Sequence, residues 1–222
     1  MNDRALLSNL DFTLEPGQWT ALLGPSGIGK SSLLRLIAGL PTPLKIDGST
    51  LLPNPNDISW MAQDDLLLPW KSVLQNIQLG ATLRGEPRDQ GRAEKLLSAV
   101  GLAGFGPRSP TTLSGGERQR VALARTLMEA RALVLLDEPF SALDPKTRID
   151  VQDLARRLLE GRTVLMITHD PLEAARLADT AFLMTRAGLR HLPLPTVAHP
   201  RQPEDQNVAT VQAQMYAELR AL

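Results

Sequence analysis

A lysine and a serine closing a glycine-rich stretch are the first residues whose types and spacing could do chemistry. The stretch is Gly24-Pro25-Ser26-Gly27-Ile28-Gly29-Lys30-Ser31. Its spacing, G-x-x-x-x-G-K-[ST], predicts a loop that cradles phosphate groups when a strand precedes it and a helix follows. Both contexts are present: residues 18–23 are largely apolar, and Leu33, Leu34, Ile37 and Leu40 recur at helical spacing. Glycines let the backbone wrap tightly enough for successive N–H groups to converge on phosphate oxygens. The helix starting near Lys30 aims its positive end at the same place. Lys30 is then expected to reach the β- and γ-phosphates, with the Ser31 hydroxyl on Mg²⁺. The candidate nucleotide-binding set is Gly24, Pro25, Ser26, Gly27, Ile28, Gly29, Lys30, Ser31 and Ser32.

Two carboxylates, Asp137 and Glu138, follow the continuously apolar Leu133-Val134-Leu135-Leu136. Such a run reads as a strand buried on both faces, and the carboxyl end of a parallel strand faces the ligand crevice. Side chains alternate along a strand, so the two acids point differently and can divide the work. Asp137 is expected to bind Mg²⁺ directly or through water. Glu138 is expected to orient the attacking water or take its proton, a role that contributes ~10²–10⁴-fold.

A third group, Ser114-Gly115-Gly116-Glu117, has the form of a capping box at a helix start. Two glycines in a first helical turn each cost ~1 kcal/mol relative to Ala, so capping alone would not select them. They leave N–H groups open to a second phosphate contact at a helix N-terminus. The group lies far along the chain from Lys30, and service to the same ATP within one chain is not expected.

Taken in order, residues 24–31, 113–119 and 133–138 resemble the nucleotide-binding subunit of an ABC transporter, over most of the chain. The resemblance implies an α/β fold. Its P-loop NTPase core has a parallel sheet flanked by helices, with an inserted α-helical subdomain and a small N-terminal antiparallel β part. It implies hydrolysis of ATP to ADP and phosphate with ATP and Mg²⁺ bound, coupled to movement of a small solute across a membrane. Two copies would pair head to tail, each ATP lying between one chain's cradle and the Ser114, Gly115 and Gly116 of the other. Gln63 would touch Mg²⁺ and the attacking water. His169 resembles the switch histidine that contacts the γ-phosphate. The catalytic set is thus Glu138, His169 and Gln63, and the metal set is Ser31, Gln63 and Asp137.

Integral membrane transport subunits and a solute-binding protein would complete the assembly, placing this chain peripherally on the cytoplasmic face of the cell membrane. Residues 65–70, Asp-Leu-Leu-Leu-Pro-Trp, resemble importers of nitrate, sulfonates, taurine and pyrimidine precursors of thiamine. These residues read either as core or as a groove for a helix of the membrane subunit. Residues 141–144, Ser-Ala-Leu-Asp, resemble the segment that crosses the dimer interface, and Asp144 before Pro145 is equally a helix N-cap. Asp170, Pro171 and Glu173 read as N-cap, first helical residue and completion of a capping box. The alternative class is a soluble, non-transport ABC-type ATPase. Such proteins usually carry two cassettes, a coiled-coil insert or a basic arm. Family members also normally hold an adenine-stacking aromatic upstream of the segment matching residues 10–16. In this sequence Phe12 resembles a core residue instead. The expectation is weaker ATP binding and little discrimination against GTP, unless the natural chain starts upstream.

The elements that must position these groups follow from pattern. Strands are expected at residues 18–23, 58–62, 133–136 and 164–167, with Gln63 ending the second. Helices are expected at 30–40, 146–160 and 171–178. Residues 64–130 read as helical with Gly and Pro punctuation, too long for a connection and hence a subdomain within a single ABC-type domain spanning 1–222. Residues 190–206, with Pro193, Pro195, Pro200 and Pro203, read as an extended strap, and 207–222 as a packing helix through Val211, Met215, Leu219 and Leu222. The 222 residues suffice for a full core. Lys+Arg and Asp+Glu are 24 each, so no net field draws the chain to nucleic acid, which is not an expected partner. With no cysteine there are no disulfides or thiolate metal sites, which suits a reducing compartment. Residues 1–7 meet polar residues too soon for a signal peptide. No apolar run approaches the ~20 residues that span a bilayer, so another subunit must supply any spanning helices.

Overall fold

The computed structural model describes residues 10–42 and 51–222. The apolar runs become neighbouring strands because each hides both faces. β1 (Trp19–Leu23) and β3 (Leu133–Asp137) are wholly buried, and β4 (Thr163–Ile167) is buried beyond its first residue. With β2 (Ile58–Met61), β5 (Thr180–Thr185) and β6 (Gly188–Leu192) they form, among the described residues, a six-stranded sheet ordered β2-β3-β4-β1-β5-β6. The first five strands are parallel, and β6 runs antiparallel to β5 at the edge.

Alternation along the strands sorts the core into two layers. On one face Leu22, Leu135, Leu165 and Ile167 pack with α1 (Lys30–Ile37), which contributes Leu33, Leu34 and Ile37. On the other face Trp19, Ala21, Leu136, Val164 and Met166 share a core with α5 (Gly115–Met128), α6 (Pro145–Leu158), α7 (Pro171–Leu177) and α8 (Gln206–Arg220). α2 (Val73–Ile77), α3 (Leu79–Arg84) and α4 (Gln90–Ala99) precede α5 between β2 and β3. Val73, Ile77, Leu96 and Leu97 join this second layer. Every helix-bearing crossover leaves from the same carboxyl edge of the sheet. That edge collects the ends of β1, β2, β3 and β4, and with them the candidate residues.

One expectation needs correction. Residues 180–185 and 188–192 pair as β5 and β6, so the strap starts after Leu192, not at Arg190. The small antiparallel β part expected at the N-terminus falls outside the described residues, apart from 10–17, which form no strand. Leu10, Phe12 and Leu14 nevertheless pack on the α1 layer while Asp11 and Thr13 face outward. The Phe12 ring meets Phe182 edge to face, with centroids 6.2 Å apart, so it is a core residue as expected. The final helix also packs as expected, burying Val208, Val211 and Met215.

Candidate active site

The phosphate loop is built by close approach. Gly24 has φ +155°, and a Cβ there would lie 2.8 Å from the carbonyl oxygen of Met184 at the end of β5. Gly29 is the N-cap of α1 at φ +108°, a conformation that side chains resist. The next residue, Lys30, is buried and folds back over the loop. Its Nζ donates to the carbonyl oxygens of Gly24 (2.7 Å) and Pro25 (3.0 Å). Burial pushes its pKa down, against the attraction of Glu138 and then Asp137. Ile28 anchors the loop in the core, while Pro25, Ser26 and Gly27 stay exposed. These four, with Thr185, Arg186, Ala187 and Leu222, line an open groove of about 670 Å³ beside the cradle.

Asp137 closes β3 almost fully buried, and its Oδ1 has no hydrogen-bond partner. Burial raises its pKa first of all; the hydrogen bond from Ser31 and the charge of Lys30 oppose, and Glu138 adds to the rise. An orphaned carboxylate oxygen beside a serine hydroxyl fits Mg²⁺, a hard cation that takes one or two protein oxygens and fills its octahedron with phosphate and water. Among the described residues no cluster of three His, Cys, Asp or Glu could cage a metal without such help. The donor set is therefore suited to a cation arriving with a nucleotide.

Glu138 is the meeting point. His169 Nδ1 lies 3.2 Å from its Oε2, and Gln63 Nε2 donates to the same oxygen at 3.5 Å. Gln63 follows β2 and His169 follows β4, so three strand ends converge on one carboxylate. The backbone there is strained, with Glu138 at φ +49°. It is held by its neighbours. The Glu138 N–H donates to Ile167 O at 3.0 Å, while its carbonyl accepts from Ser141 Oγ at 3.0 Å and from Gln119 Nε2 at 3.1 Å. Gln119 Oε1 in turn accepts the Ala142 N–H at 2.9 Å. Spacing along the chain gives this buried glutamine no role; its only signal is a polar residue on the inward face of α5, two residues beyond the capping box.

At that capping box, Ser114 Oγ accepts the Glu117 N–H at 3.2 Å and Glu117 Oε2 accepts the Ser114 N–H at 2.7 Å. Gly116 lies against Ala142 and Leu143 of the same chain, where a Cβ would come within 3.3 Å of Ala142 O. Gly115 is exposed. The chain's own packing is therefore tight at one glycine of the pair and open at the other. Asp144 caps α6 by accepting the Thr147 N–H at 3.1 Å. Asp170 caps α7 through the Leu172 N–H, but Glu173 does not complete a capping box. It turns inward, accepting from Thr168 Oγ1 and Gln152 Nε2, because partners distant in sequence satisfy it better than its own helix end.

A glycine loop between a parallel strand and a helix, with paired acids at the end of the strand one removed in the sheet, defines a P-loop ATPase. The model of the ABC transporter family matches residues 7–141, and the chain belongs to that family as an ATP-binding, ATP-hydrolysing subunit. It is 44% identical to an uncharacterized ABC transporter ATP-binding protein of Haemophilus influenzae, over 98% of this chain and 94% of that one. It is 46% identical to the aliphatic sulfonates import ATP-binding protein SsuB 1 of Rhodococcus jostii, over 93% and 84% respectively. Among solved structures it resembles the ATP-binding cassette MJ0796 in a dimeric post-hydrolysis state bound to ADP and Pi. That likeness has a TM-score of 0.74 and 29% identity, over 86% of this chain and 92% of that one. These matches decide between transport and a non-transport ATPase in favour of transport. The chain uses ATP with Mg²⁺. No helix among the described residues is long and apolar enough to cross a membrane itself.

Proposed function

We propose that this chain energises an importer of a small organic solute, of the kind served by sulfonate importers, from the cytoplasmic face of the membrane, in complex with a solute-binding protein. The single observation that carries the chemistry is the convergence of Gln63 and His169 on Glu138, beside Lys30 and Asp137. In this reading residues 24–32 hold the triphosphate. Ser31 and Asp137, with Gln63, hold Mg²⁺, which when bound neutralises charge on the phosphates. Glu138 takes the proton of the attacking water, and His169 orients that carboxylate and the γ-phosphate. Ser114, Gly115 and Gly116 face the nucleotide of the partner copy. The helices between β2 and β3 act as a subdomain that carries this signature.

The segment after Gln63 supports a membrane-subunit contact. Arg125 donates to the carbonyls of Asp65 and Leu66, and Arg118 pairs with Asp65 at 2.9 Å, pinning the loop to α5. Leu67 enters the core, while Leu66 and Trp70 remain 60% and 75% exposed. An apolar surface hinged beside Gln63 suits an amphipathic helix of the membrane subunit.

Glu138→Gln tests the reading. The cradle survives and the base is lost, so hydrolysis should fall by ~10²–10⁴-fold with ATP binding retained. An ATP-bound dimer should then accumulate on gel filtration with ATP and Mg²⁺. Turnover within about threefold of the unmodified chain, far short of that range, would remove Glu138 from its role.

A further inference from the structure

Behind His169 lies a buried polar chain that the hydrolysis scheme does not use. Thr168, 1% exposed, donates from Oγ1 to Glu173 Oε2 at 2.5 Å, and its oxygen accepts the Asp170 N–H at 3.0 Å. Both sides of His169 are thus tied to one hydroxyl. The other Glu173 oxygen accepts from Gln152 Nε2 of α6 at 3.2 Å. Gln152 Oε1 accepts from Arg176, which also pairs with Asp153 and donates from Nε to the Arg201 carbonyl of the strap at 2.9 Å. Arg201 returns the contact through its N–H to Arg176 O and its guanidinium to Ala175 O and Ala178 O.

The donors are ordered. Arg176 donates to Gln152, Gln152 to Glu173, and Thr168 to Glu173, so the carboxylate accepts from both ends. A glutamine in its place could accept from only one of them, because its other end is itself a donor. Satisfied buried networks rigidify what they join, and partly satisfied ones are costly. What this one joins is the turn bearing His169, α6, α7 and the C-terminal strap.

We propose that Glu173 is a positioning residue for hydrolysis, which by accepting the Thr168 hydroxyl fixes the turn that presents His169 to Glu138 and ties that turn to the strap. This rests on the role given to His169 above. Misplacement of a catalytic group by about 1 Å can cost ~10²-fold without loss of binding.

The test is ATP hydrolysis by the full chain with Mg²⁺ at pH 8, where Glu173 is in its carboxylate form, across a range of ATP concentrations. Thr168→Val removes the hydroxyl at nearly constant shape, and Thr168→Ser keeps it. Thr168→Val should lower kcat about tenfold or more with KM within about twofold, while Thr168→Ser stays near wild type. Glu173→Gln should follow Thr168→Val. If that variant does not fold, the threonine pair decides alone. Unchanged kcat in Thr168→Val, or kcat lost equally in Thr168→Ser, overturns the proposal. His169→Ala in the same assay separates the two layers. If it alone retains activity, the role of His169 fails and the proposal falls with it. If it is inactive while Thr168→Val is silent, only the positioning role of Glu173 is lost.

Discussion

At the scale of residues, the site shows how little of an active carboxylate is its own doing. Glu138 holds an uncommon φ of +49° because its carbonyl is clasped by Gln119 and Ser141 and its N–H by Ile167. Gln119→Ala leaves the Ala142 N–H without its partner and frees the Glu138 backbone. A lost partner of this kind costs ~1–3 kcal/mol, and a displaced base costs about tenfold or more in rate. The expected outcome is a lowered urea midpoint together with a lowered kcat, at unchanged ATP affinity. A Gln119→Ala chain with normal kcat would show that Ser141 and the strand suffice. The acids and the phosphate loop were legible in sequence because their chemistry dictates their spacing. Gln119 and Glu173 were not, because their partners are far along the chain: Gln152 lies 21 residues before Glu173. Local spacing made Glu173 a cap, and only the fold shows the buried alternative.

At the scale of elements, α7 carries a titrating group inside the core. Burial pushes the Glu173 carboxyl up to about 7 from 4.5; the Thr168 hydrogen bond opposes, Asp170 adds, and Arg148 and His169 oppose more weakly. Between these values the folded chain holds the proton and the unfolded chain does not. The resulting stability is fully present below about 4.5 and is lost as pH rises through about 7. The expected contribution is about 3 kcal/mol across that window. Glu173→Gln cannot titrate, so the stability of this variant relative to wild type should climb between pH 5 and pH 8. Urea denaturation at both values measures it. A constant difference would mean that Glu173 titrates in the ordinary carboxylate range. The element pattern itself was largely readable where burial imposes continuous apolar runs, as in β1, β3 and β4. β5 and β6 were missed for a physical reason. Thr180, Phe182 and Thr185 are good strand residues, but they follow α7 after only two residues, and the prolines beyond Leu192 suggested a strap from residue 190 that covers part of β6.

At the scale of the whole molecule, the proposed function divides one nucleotide site between two copies of the chain. Lys30 faces the carboxyl edge of the sheet, whereas Ser114 and Gly115 stand exposed at the start of α5, and Gly116 packs on Ala142 and Leu143. In the proposed reading the exposed half serves a second copy, and the cassette MJ0796 that the chain resembles is dimeric. A symmetric pair of identical chains then forms two equivalent composite sites. Lys30→Ala destroys a chain's own cradle and keeps its signature. Ser114→Arg does the reverse, with about 1 kcal/mol of capping lost from α5 as its structural side effect. Each variant alone should be inactive. In a mixed dimer, one site receives the intact cradle of the Ser114→Arg chain and the intact signature of the Lys30→Ala chain, while the other site is doubly broken. Random pairing makes half the dimers mixed, so an equimolar mixture should recover about a quarter of wild-type turnover. Recovery should rise with protein concentration as dimers form. Should the mixture stay as silent as its parts, or should Ser114→Arg chains hydrolyse ATP normally by themselves, the signature does not serve a partner's nucleotide and each chain must complete its own site.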